Sequence, residues 1–128
     1  MAKLFTLGIE EEFQVIDPES RELRSHIAPI FEKGHGVLGG KLKAELHQPV
    51  VEVGTEICRN IAEAKVEVFG MRASLAALAR ENGLRIAAAG THPFSDWKTQ
   101  EITDGERYKG IVEDLQDVAR ANLIFGLH

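Results

Sequence analysis

The stretch "LFTLGIEEEFQVI" (residues 4–16) sets three consecutive carboxylates inside an apolar run. Its Phe, Leu, Ile and Val residues favour a strand, and in a strand alternate side chains share a face. Glu10 and Glu12 therefore point one way and Glu11 the other, so the sheet must accept a carboxylate on both faces. Two parallel carboxylates on one strand repel each other unless they are solvated or neutralised by a cation. An exposed edge face meets that requirement as simply as a cation site does. Gly8 precedes the pair on the same face and leaves space beside it.

A second acidic segment, "AELHQPVVEVGTE" (44–56), carries Glu45 and Glu52, the latter between two valines. An acid flanked by β-branched residues in a strand is a candidate inward-facing ligand. Strict alternation over seven positions would put Glu45 and Glu52 on opposite faces, unless a bulge at Pro49 resets the phase. Carboxylates on neighbouring strands, without a cysteine cluster or an H-E-x-x-H helix, favour Mg²⁺ or Mn²⁺ over zinc. His128 could add a nitrogen ligand, although a strand histidine is more often structural. Cys58 reads as a small buried hydrophobe.

The 128 residues suffice for one domain with its own core. Residues 17–22 read as a turn and 27–33 as a short helix, followed by a flexible loop at "GHGVLGG" (34–40). "KLKAELH" and "VVEVGT" read as two strands, or as one broken at Pro49. Asn60 with Glu63 opens a helix whose stripe is Ile61, Ala64, Val68, Met71, Leu75 and Leu78, and Gly83 stops it. "LRIAAAG" (84–90) reads as a buried strand. A second helix opens near Thr103 or Asp104, with a stripe of Tyr108, Ile111, Val112, Leu115 and Val118 or Ala119, and "NLIFGLH" is the last strand. This order predicts an α+β domain with a largely antiparallel sheet and helices on one face.

Gly34, Gly36 and Gly39 match G-x-G-x-x-G, but a dinucleotide loop needs a strand before it and a helix after it. Here the order is reversed. A Walker A loop fails because Leu42 follows Lys41. The loop "GTHPFSDWKTQEITDGERY" (90–108) brings His92, Trp97, Arg107 and Tyr108 to a strand–helix junction, where binding groups often sit. An arginine at a helix start can clamp a carboxylate bidentately. A solvated loop with Tyr108 in the core is the plainer alternative.

A net charge of −5 and the lack of a Lys/Arg block argue against nucleic-acid binding. No apolar run approaches the roughly 20 residues of a membrane helix, and the N-terminus lacks the features of a signal peptide. A lone cysteine excludes an internal disulfide. These features predict a cytoplasmic protein without a membrane partner. The chain stops in the apolar run "NLIFGLH", which predicts an N-terminal portion of a longer protein and an associating sheet edge.

"LGIEEEF", "ELHQPVVEVGTEIC", "GTHPF", "ERY" and "FGLH" occur in the order seen in the type 2 glutamate–cysteine ligases, also called carboxylate–amine ligases. The resemblance covers nearly the whole chain and implies that residues 1–128 are the N-terminal portion of one catalytic domain. It implies a fold similar to that of glutamine synthetase, and ATP-dependent joining of an acid to an amine through an acyl phosphate. By position it implies Glu10, Glu12, Glu45, Glu52 and His128 as ligands of Mg²⁺ or Mn²⁺, with Glu10, Glu12 and Glu52 facing ATP through the metal. His92, Arg107 and Tyr108 fall where the family places groups facing the amino-acid substrates, with Arg107 as the reaction's clamp. A homo-oligomer is expected. A metal-dependent phosphoesterase and a non-catalytic assembly module remain the competing readings.

Overall fold

The computed structural model describes residues 5–25 and 27–128, so Leu4 of the expected first strand lies outside the described residues. Strands β1 (Glu10–Ile16), β2 (Leu42–Ala44), β3 (Val50–Gly54) and β4 (Arg85–Ala87) form one sheet in the order β2-β3-β1-β4. All three pairings are antiparallel. The helices are α1 (Ala28–Leu38), α2 (Ile61–Glu81), α3 (Glu106–Leu115) and α4 (Asp117–Ala121). The domain is α+β, as the sequence predicts. No helix among the described residues is long and apolar enough to cross a membrane.

The alternation in the strands decides the core. Phe13 and Val15 of β1, Val51 and Val53 of β3 and Leu42 of β2 are buried on one face, against Ile30 and Leu38 of α1 and Met71, Leu75 and Leu78 of α2. A smaller cluster of Leu23, Val50, Leu123 and Phe125, with Ile16 and Trp97 beside it, covers one end of the opposite face. The other end of that face remains open.

The glycine-rich segment 34–40 is not a flexible loop. Helix α1 continues through it to Leu38, with Ile30, Gly34 and Leu38 forming its buried stripe. Gly34 serves close packing: a Cβ there would stand 2.4 Å from Leu42 Cδ2. The chain leaves the helix only at Gly39, where φ is +58°, a conformation that costs glycine little. The fingerprint-like spacing thus lies inside a helix and at its end.

Helix α2 follows its sequence signals closely. Asn60 Oδ1 accepts from the Glu63 backbone N–H (3.0 Å). The reciprocal bond falls one residue earlier than in a capping box, from the Arg59 N–H to Glu63 Oε2 (2.8 Å). At the far end Gly83 (φ +71°) donates to the Arg80 carbonyl and Leu84 to the Ala79 carbonyl, the Schellman arrangement. Ile61, expected in the stripe, is instead 72% exposed. Asn60→Ala should lower unfolding free energy by about 1 kcal/mol, read as an earlier urea midpoint with an unchanged m-value.

Other expectations need correction. The first strand begins at Glu10, preceded only by a single Leu7–Cys58 bridge. The stretch 84–90 yields a three-residue strand at the sheet edge, half-exposed because only β1 pairs with it. The helix expected from Thr103 or Asp104 starts at Glu106, and Gln116 (φ +50°) divides it into α3 and α4. Leu115 and Val118 consequently point to solvent, whereas Ala119 is buried. "NLIFGLH" forms isolated bridges, Thr91–Ile124 and Glu11–Leu127, in place of a regular strand.

Candidate metal and substrate site

The open end of the second face carries the acids. Across strands, Glu12 pairs with Glu52 and Glu10 with Gly54, and Lys43 pairs with Glu52 from the other side. Residues 126–128 run along the free side of β1. The Glu10 N–H donates to the His128 carbonyl (2.7 Å), the His128 N–H to the Glu10 carbonyl (2.8 Å) and the Glu12 N–H to the Gly126 carbonyl (2.8 Å).

Glu45 and Glu52 do share a face, but no bulge brings this about. They belong to the two arms of a reversing chain, and the Lys43–Glu52 register puts odd-numbered residues of one arm on the face of even-numbered residues of the other. Antiparallel partners share a face, so the expected conflict of phase does not arise.

Glu12, Glu45 and Glu52 are half-buried and each offers a carboxylate oxygen, all within 4.8 Å of one another. Burial, and after it the neighbouring Glu45 and Glu52 charges, push the Glu12 carboxyl above the ordinary glutamate range, against the lowering effect of the Gly126 N–H. That N–H donates to Glu12 Oε2 at 3.0 Å, the Leu46 N–H to Glu45 Oε2 at 2.5 Å, and Lys43 Nζ to Glu52 Oε1 at 2.8 Å. A carboxylate can accept about four hydrogen bonds, so ligand capacity remains on each. An all-oxygen donor set of this kind fits a hard divalent cation such as Mg²⁺ or Mn²⁺.

Glu10 and His128 stand beside this cluster. Glu10 Oε1 takes a hydrogen bond from Lys43 (3.1 Å), and His128 Nδ1 lies 3.7 Å from Glu10 Oε2. Lys43, which the sequence reading overlooked, joins Glu10 to Glu52. Its alternation with Glu45 in "KLKAE" puts the two on one strand face, but the acids it joins lie on other strands.

Glu11 faces the other way. Its buried carboxylate receives two bonds from Arg72 of α2, Nε to Oε2 at 2.7 Å and Nη2 to Oε1 at 2.6 Å. Because the Arg72 side chain is 50% exposed, it can recover water when its partner is lost. Glu11→Gln should therefore cost about 1.5–3 kcal/mol, the range for a charge-assisted bond. Chemical denaturation would measure this; an unchanged midpoint would deny the pair a structural role.

A cleft of about 480 Å³ is lined by Glu12, Glu45, Val50, Arg107, Tyr108 and His128 among others. The Tyr108 hydroxyl donates to the Ala44 carbonyl (2.9 Å), tying α3 to the end of β2. Burial and then Glu45 raise the Tyr108 pKa, keeping the phenol protonated. Arg107, one residue earlier, is exposed; its guanidinium carbon lies 5.8 Å from the Tyr108 ring centroid. No ion pair engages Arg107 among the described residues. His47 also lines the cleft, but it is buried and bonded through Nε2 to the Arg120 carbonyl (2.9 Å), and burial lowers its pKa.

His92 is not brought to this cleft. Its Nε2 donates to the Arg21 carbonyl (2.9 Å), and its Nδ1 accepts from the Ser95 N–H (2.9 Å) and the Phe94 N–H (3.3 Å). The ring fastens the loop after β4 to the turn after β1. Cys58 is free and buried, as expected.

The sequence profile of glutamate–cysteine ligase family 2 matches residues 6–128. A protein of Sorangium cellulosum named "Putative glutamate--cysteine ligase 2" is 65% identical over 126 residues, covering 97% of this chain and 34% of its own length. Proteins of the same name from Roseiflexus castenholzii and Herpetosiphon aurantiacus are 57% and 53% identical over 124 residues, each covering 97% of this chain and 33% and 32% of their own lengths. The chain thus spans about a third of the length of the curated relatives it matches.

Proposed function

The chain belongs to glutamate–cysteine ligase family 2, and from that premise we propose that it is the N-terminal portion of an ATP-dependent ligase joining an acidic amino acid to an amine such as cysteine. The observation that carries the reading is the convergence of Glu12, Glu45 and Glu52 beside a cleft that Glu12 and Glu45 line together with Arg107, which has no ion pair among the described residues.

Amide formation from a carboxylate needs a leaving group, because the carboxylate's own oxygen leaves poorly. In the proposed reaction a substrate carboxylate oxygen attacks the γ-phosphorus of ATP and ADP departs, leaving an acyl phosphate. The amine nitrogen then attacks the acyl carbon, phosphate departs, and the nitrogen loses a proton. A Mg²⁺ or Mn²⁺ ion bound here supplies charge neutralisation for the phosphates. Glu12, Glu45 and Glu52 would hold that ion, with Glu10 and His128 at the edge of its site. Arg107 would hold the acidic substrate's carboxylate, on a helix fixed to β2 through Tyr108. The half-buried setting of the acids limits water around them and strengthens each charge interaction. Cys58, buried and bonded to the Glu56 carbonyl, takes no part. ATP as co-substrate favours the cytoplasm as its compartment.

Screening amino-acid pairs for ADP release by the full-length protein tests the reading. ADP release that requires both an acid and an amine, together with Mg²⁺, is the expected result. Hydrolysis of ATP at the same rate without amino acids would point to a phosphoesterase and overturn it.

A further inference from the structure

We propose that Lys43 is a resident cation of the acidic face, a positioning residue that competes with a divalent ion for Glu52 and so sets how tightly the face binds one. The inference rests on the metal reading above. Lys43 Nζ lies 2.8 Å from Glu52 Oε1 and 3.1 Å from Glu10 Oε1. Glu52 is the contested group, since it belongs both to the three-carboxylate cluster and to the lysine's pair. An ammonium bonded to a ligand carboxylate occupies one of its lone pairs and repels an incoming cation.

The geometry lets this lysine yield. Its side chain is 49% exposed, unlike a charge sealed in a core. The nearby Gly54, opposite Glu10, has no side chain; a Cβ there would stand 3.9 Å from Lys43 Nζ and 3.7 Å from Glu10 Cγ. On the same side a cleft of about 660 Å³, bordered by Gly39, Gly40, Gly54 and His128, gives the ammonium room to withdraw. Other paired cations are differently placed: Lys41 bonds Glu67, and Arg72 bonds Glu11 on the opposite face. The lysine thus holds Glu10 and Glu52 together against their own repulsion and is displaced when a stronger cation arrives.

Calorimetric Mn²⁺ titration of the full-length protein and its Lys43→Met and Lys43→Arg variants tests this. Lys43→Met should tighten Mn²⁺ binding about tenfold at low ionic strength, a gap that narrows as salt screens the ammonium in the parent protein. Lys43→Arg keeps the charge and should bind as the parent does. Should Lys43→Met fail to fold, Lys43→Gln, which keeps a donor without the charge, must tighten binding instead. Unchanged or weaker binding by a folded, uncharged variant overturns the proposal. Absence of Mn²⁺ uptake by the parent and every variant overturns the metal reading itself, so the two failures are distinguishable.

Discussion

Glu52→Gln in the full-length protein is expected to weaken Mn²⁺ or Mg²⁺ binding by about a hundredfold or more, since loss of a group that merely supports a ligand already costs ten- to a hundredfold. Glu52 stands at the centre of the face, paired with Glu12 on one side and with Lys43 on the other. Its carboxylate is the one shared by the cluster and the lysine. Glu12→Gln and Glu45→Gln should each approach the same loss, because their oxygens complete the cluster. Glu10→Gln should matter less, because its carboxylate stands beside the three-oxygen cluster and not in it. Glu11→Gln provides the internal control, lowering stability through the lost Arg72 pair while leaving metal affinity unchanged. Calorimetric titration across the five variants checks the ranking. Equal losses for Glu11→Gln and Glu12→Gln would show that the acidic face does not bind the ion.

Arg107→Lys should lower kcat/KM for the acidic substrate about ten- to a hundredfold, mainly through a raised KM, while Mg²⁺–ATP affinity stays nearly constant. The estimate follows from losing a charge-assisted contact worth about 1.5–3 kcal/mol, expressed through kcat/KM. Lysine keeps the charge but not the planar fork that grips both carboxylate oxygens. The side chain is exposed and without an ion pair among the described residues, so the fold does not depend on its guanidinium. Steady-state kinetics with each substrate varied in turn would separate the alternatives. A change confined to ATP would move Arg107 to the nucleotide site, and loss of the native circular dichroism spectrum would make it structural.

The division of labour among Glu10, Glu11 and Glu12 was legible in the sequence because it depends only on the two-residue period of a strand. The caps of α2 were equally legible, since Asn60, Glu63 and Gly83 act on backbone groups within a turn of themselves. The order of strands and helices read from periodicity pointed to the α+β class, and the order of motifs to the family.

The meeting of Glu45 with Glu52 was not legible. It depends on which residues face each other after the chain reverses, a matter of register between strands. The end of α1 was hidden for a similar reason. Gly34 breaks helices by local propensity, yet here a glycine is what lets α1 approach Leu42 closely, and packing outweighs the local cost. His92 looked like a binding group because its loop joins a strand to a helix, but both its nitrogens are used by backbone partners, one of them at Arg21, 71 residues away. Lys43 went unnoticed because a lysine in a strand signals solvent until its partners across the sheet are known. The sequence by itself determined which residues are acidic, which face each local strand presents, and where α2 starts and stops, because those depend on neighbours along the chain. Only the tertiary structure decided which acids converge and which two of them a lysine joins, because charges interact through distances that chain separation does not set.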